Sequence, residues 1–95
     1  MPITNITEEP IKGLTIKKLF KTDTCETLLF KMKAGESIPN HVTPKRAFLV
    51  MHKGDVVFHI KGKDIELVSG NTYEIPENIL HNVNALSDSV FFIFR

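Results

Sequence analysis

Apolar and polar residues alternate with a period of two along most of this chain from Leu14 onward. Leu28, Phe30 and Met32 alternate with Leu29, Lys31 and Lys33, and Val56, Phe58 and Ile60 alternate with Val57, His59 and Lys61. A strand sends successive side chains to opposite faces, so each segment presents one apolar face. Further runs at 14–20, 47–52, 64–68, 72–75, 81–85 and 89–94 also read as strands, parted by turn chemistry at Lys21–Thr24, Lys53–Asp55, Lys61–Lys63 and Ser69–Asn71. No window carries a helical stripe. About eight short strands predict an all-β sandwich or small barrel, because an open sheet would leave bare edges and an uncovered apolar face. An immunoglobulin-like sandwich and an OB-type barrel share that pattern.

The phase of the alternation assigns faces. It sends His59 away from Val56, Phe58 and Ile60, and it puts His52 out of step with Ala47, Leu49 and Met51. Both histidines are therefore expected outside the barrel, provided no bulge near Gly54 shifts the phase. The run Val90–Phe94 is apolar on both faces, so its outer side should also be covered. A second copy of the chain is the simplest cover, giving a homodimer, with the N-terminal segment 1–12 as the alternative.

Two blocks depart from plain alternation. The first runs from Gly35 through His41, Thr43 and Ala47 to Gly54, and the second from Gly70 through Pro76, Asn78 and His81 to Ala85. Gly35, Gly54 and Gly70 sit where strand-like segments turn, and a residue without Cβ enters the left-handed region freely. Pro76 fixes one turn residue, and Asn78 is the non-glycine type that best tolerates positive φ. The blocks resemble the two motifs of the cupin family. That resemblance implies an antiparallel double-stranded β-helix, or jelly-roll barrel, forming one domain over residues 1–95 with motifs at 35–54 and 70–85. It also implies a metal in the barrel mouth. Measured against it, Thr43 stands in place of a histidine ligand, Ala47 in place of a glutamate ligand, Asn78 in place of a glycine, and Ala85 in place of an asparagine beside Asn84.

His41 and His81 remain as candidate metal ligands across a mouth formed by Leu28, Phe30, Met32, Leu49, Met51, Phe58 and Ile60. A mononuclear oxygenase-type site needs about two histidines and one carboxylate. Thr43 offers a neutral hydroxyl, Ala47 offers nothing, and Glu36, Glu74 and Glu77 lack compensating spacing. Two imidazoles and water would hold zinc, nickel, copper, iron or manganese weakly or not at all. The expected function is binding of a small polar molecule by His41, Thr43, His81, Met51 and Phe58, with no enzymatic role favoured. An alternative is a metal-dependent oxygenase, isomerase or lyase, or a metal-free enzyme using one histidine as acid or base. A dimeric interaction module with a filled barrel is the third reading. Lys45 and Arg46 fall near the mouth as a solvated loop able to attract an anion. Cys25 reads as inert, with no histidine or cation beside it. Asn40, Asn82 and Asn84 bracket the histidines and would bond a ligand or the loop backbone.

Composition narrows the partners. An apolar fraction of 42% suits a folded domain, and 12 basic against 11 acidic residues, scattered along the chain, give no stripe for nucleic acid. Cys25 is the single cysteine, which excludes an intrachain disulfide and favours a reducing, cytoplasmic setting. No apolar run approaches the ~18 residues of a membrane span, and residues 1–10 lack the basic and apolar regions of an export signal.

Overall fold

The computed structural model describes residues 3, 5–7 and 10–95; positions 1, 2, 4, 8 and 9 of the N-terminal segment lie outside these. The described residues form nine strands and no helix: β1 (Thr15–Lys21), β2 (Glu26–Met32), β3 (Ser37–His41), β4 (Ala47–Lys53), β5 (Asp55–Ile60), β6 (Lys63–Val68), β7 (Thr72–Ile75), β8 (His81–Ala85) and β9 (Ser89–Phe94). β3 is the strand that alternation did not predict. It is mostly exposed, so it carries no apolar signature.

The strands make two antiparallel sheets, ordered β1-β2-β9-β4-β7 and β3-β8-β5-β6. Their inner faces close on a core that includes Phe30, Met32, Leu49, Met51, Phe58 and Phe91. Phe30 and Phe91 stack with ring centroids 5.0 Å apart. This is the all-β jelly-roll arrangement, with β8 and β9 lying inside their sheets and delivering the end of the barrel.

Two turns show why the sequence folds here. Lys61 (φ 54°) and Gly62 (φ 73°) both take positive φ between β5 and β6, as a two-residue hairpin loop with the right-handed twist demands. Gly54 (φ 94°) packs so closely on Ser89 that a Cβ would lie 2.5 Å from the Asp88 carbonyl oxygen. That glycine is required by space as well as by conformation.

The outer face of the five-stranded sheet is apolar around Phe48 and Phe94, which are 45% and 43% exposed with rings 6.5 Å apart. At the other end of the same face, Ile6, Pro10 and Ile11 lie beside Lys31, His52 and Val90. Ile6, Pro10 and Ile11 thus lie by one end of β9, away from Phe94.

Candidate functional site

Strict alternation would place Ile38 and His41 on opposite faces of β3, because they are three positions apart. The pairing with β8 is irregular here: Ile38 opposes Val83, and His41 opposes His81. The extra residue is accommodated at Pro39 and Asn40. Proline has no N–H to give to a ladder, so it is a natural place for a bulge. The bulge restores phase, and both Ile38 and His41 line the barrel interior. Asn40 is left outside, where it accepts a hydrogen bond from Asn82 Nδ2 at 2.8 Å.

The two imidazoles meet edge to face, with centroids 4.2 Å apart and planes at 62°. His81 is 2% exposed and stacks on Phe58 at 5.8 Å. Each ring is tethered to its own loop: His41 Nδ1 lies 3.0 Å from the Pro39 carbonyl, and His81 Nδ1 lies 2.9 Å from that of Ile79. A carbonyl only accepts, so Nδ1 carries the proton in both rings. On the buried His81 this leaves Nε2 as the acceptor. Burial pushes the pKa of His81 down; the Ile79 carbonyl opposes this, and the charge of His41 adds to it. His81 is consequently a neutral acceptor at ordinary pH.

Thr43 completes the cluster. It is 6% exposed, and its Oγ1 is buried with no hydrogen-bond partner. Its carbonyl accepts from the Asn78 backbone N–H at 2.8 Å. Asn78 (φ 57°) therefore ties the second motif's loop to the first motif's at the residue that faces the histidines. His41, Thr43, His81 and Phe58 line one cavity of about 30 Å³, together with Phe91 and Arg95 among others. With roughly 15 Å³ needed per water, this holds one or two water-sized groups. Met51 is buried in the core and is not among its lining residues. Of the seven residues expected around the mouth, only Phe30 and Phe58 reach it; Ile38, Ile75, Val83 and Phe91 take the other places.

The donor set does not fit the metal that the family resemblance implies. Among the described residues no group of three or more His, Cys, Asp or Glu converges. Ala47 is buried at the lining with only a methyl group, and Glu74 faces outward to Arg46 at 3.0 Å. Two imidazole nitrogens and one neutral hydroxyl leave the carboxylate position unfilled.

His52 sits at a bulge between Met51 and Lys53, yet stays exposed beside Phe92 at 6.1 Å. His59 lies on the outer face of the four-stranded sheet, between Asp64 (2.6 Å) and Asn84 (2.7 Å). Asn40, Asn82 and Asn84 thus satisfy side chains on the outer sheet face, away from the cavity. Cys25 lines an open cleft of about 330 Å³ that Lys21, Lys45 and Arg95 also line. Thr43 and Arg95 line both cleft and cavity. Arg95 carries no motif signal in the sequence, although continuing the inward phase of Phe91 and Ile93 by one step predicts its place. Its Nε donates to Glu26 Oε1 at 2.8 Å, and with Lys18 it holds that carboxyl below the usual range.

Solved structures with the same architecture include an RmlC-like cupin family protein with a double-stranded β-helix fold from Methanocaldococcus jannaschii. It is 17% identical, with a TM-score of 0.84, and the match covers 100% of this chain and 89% of that one. An RmlC-like cupin from Desulfovibrio desulfuricans is 20% identical at a TM-score of 0.82, covering 99% and 94%. KdgF from a Halomonas species is 19% identical at 0.75, covering 86% and 77%. No curated protein matches. Residues 28–94 match the Cupin_2 family, the cupin domain, and the chain belongs to that family.

Proposed function

We propose that this cupin binds a small polar molecule at the barrel mouth without a structural metal shell. The observation that carries the reading is Thr43 Oγ1, a buried hydroxyl without a partner beside the neutral His81. A buried polar group left unpaired costs about 1 to 3 kcal/mol, and a ligand that pairs with it recovers that cost. Thr43 supplies a donor and His81 Nε2 an acceptor, which suits a hydroxyl, carbonyl or amide. Only a water-sized part of the ligand fits the inner cavity, so its body occupies the adjoining cleft. Phe58 and His41 act as walls.

Proton NMR with nitrogen-15 labelling tests this using glycerol, acetamide and ribose. We expect saturable shifts at His41, Thr43 and His81. Shifts that never saturate, or that miss these three, would exclude the reading. A second copy of the chain is proposed to cover the Phe48–Phe94 patch. The lone exposed cysteine fits a reducing compartment, which we take to be the cytoplasm.

A further inference from the structure

Resting on the barrel-mouth reading, the geometry points to a small organic carboxylate as the ligand class, with its anionic end held by Arg95, Lys21 and Lys45 in the cleft outside the His41–His81 cavity. The cleft is bounded by the β1–β2 turn on one side and by the Thr43–Lys45 loop on the other. Its volume of about 330 Å³ lies within the range of small-molecule sites.

Cationic side chains outnumber acidic ones in its lining. Lys21, Lys45 and Arg95 face Asp23 and Glu26, and Glu26 is shared between Arg95 (2.8 Å) and Lys18 (3.4 Å). Among the described residues neither Lys21 nor Lys45 has an ion-pair partner. Arg95 spends one side-chain N–H on Glu26, which leaves the other four donors of its guanidinium for a ligand. A planar fork with adjacent free donors matches a carboxylate in two parallel bonds.

Arg95 and Thr43 are the two residues common to the cleft and the inner cavity. The buried Thr43 hydroxyl is the second, independent sign of a ligand, since it is a donor and acceptor without a partner at that junction. A ligand with a carboxylate for Arg95 and a hydroxyl or keto oxygen for Thr43 would satisfy both groups. Inorganic phosphate presents the same charge without that second oxygen-bearing carbon, so the two are separable by experiment.

The test is a nitrogen-15 NMR titration of the full chain with L-malate and L-lactate, against inorganic phosphate and sodium chloride at matched ionic strength. The expected result is saturable movement of amides at 21–26, 43–46 and 95 with both carboxylates. Lys45→Ala and Arg95→Gln, each checked for an unchanged spectrum elsewhere, should weaken binding by about tenfold or more. Raising the salt should weaken it further. Binding of phosphate as tight as that of malate would overturn the carboxylate assignment. Saturable binding of acetamide or glycerol at Thr43 and His81, with no response to malate, would overturn this inference alone. No saturable binding by any of these probes would overturn both it and the barrel-mouth reading.

Discussion

His41 and His81 are direct partners across β3 and β8, and their rings meet edge to face although the strand pattern alone would have turned His41 outward. The bulge at Pro39–Asn40 converts a three-residue spacing into a shared inner face. The same bulge frees the Pro39 carbonyl to accept from His41 Nδ1, so the local backbone fixes both the side and the tautomer of that histidine. With His81 held in the same way by Ile79, the pair sets a buried imidazole against an exposed one at the barrel mouth.

Stability should depend on His81 as pH falls. A histidine in the unfolded chain titrates near ~6.5, whereas burial lowers the pKa of His81 in the folded chain. Above ~6.5 both states leave the ring neutral, and its burial costs nothing extra. Below that the unfolded chain binds a proton that the folded chain resists, so stability is lost as pH falls through the folded pKa. Urea midpoints measured between pH ~7.5 and ~5 should decline, and His81→Gln should flatten the decline. An equally steep decline in the variant would assign the effect to other groups.

Thr43→Val removes the orphan hydroxyl and keeps the shape. The expected gain is about 1 kcal/mol, at the low end of the cost of an unpaired buried polar group. For a domain of this size that raises Tm by about 4 to 8 °C in calorimetry. The same variant should lose affinity for the polar ligand. A lowered Tm would mean that the hydroxyl is satisfied in the folded protein.

The two glycines of the first motif should differ. Gly35 (φ 86°) has nothing within 4 Å of a built Cβ, so Gly35→Ala carries only the conformational cost of about 1 to 2 kcal/mol. Gly54→Ala adds a collision with Ser89 and the Asp88 carbonyl, and denaturant unfolding should show a clearly larger loss. Equal losses would contradict the packing described at Gly54.

Much of the frame was legible from residues whose role is local. Gly35, Gly54 and Gly70 all take positive φ, as does Asn78, and the Lys61–Gly62 turn forms where the sequence puts it. Period-two runs located eight of nine strands; most of those bury one face, while β1 is exposed almost throughout yet keeps the alternation of Leu14, Ile16 and Phe20 with polar residues. β3 escaped because it is mostly exposed and contains a proline. The His41–His81 pair was legible through spacing, but its surroundings were not. Ile38 and Ile75 reach the cavity from strands whose register no single sequence specifies, and Met51 belongs to the core at some remove from it. The cleft beside Cys25 was not legible, since Lys45 and Arg95 join Lys21 in its lining from far along the chain.

The exposed Phe48–Phe94 patch predicts self-association. Sedimentation equilibrium should give twice the 10.8 kDa chain mass, and Phe48→Glu combined with Phe94→Glu should return the monomer. A wild-type monomer at every concentration would rule out the dimer.

The central claim is that two histidines and a threonine form a polar ligand site that falls short of a metal centre. Calorimetric titration of chelator-stripped protein with zinc and nickel tests this most directly. The account predicts no transition at one ion per chain with micromolar affinity. A stoichiometric transition of that strength, abolished in His41→Ala with His81→Ala, would contradict it.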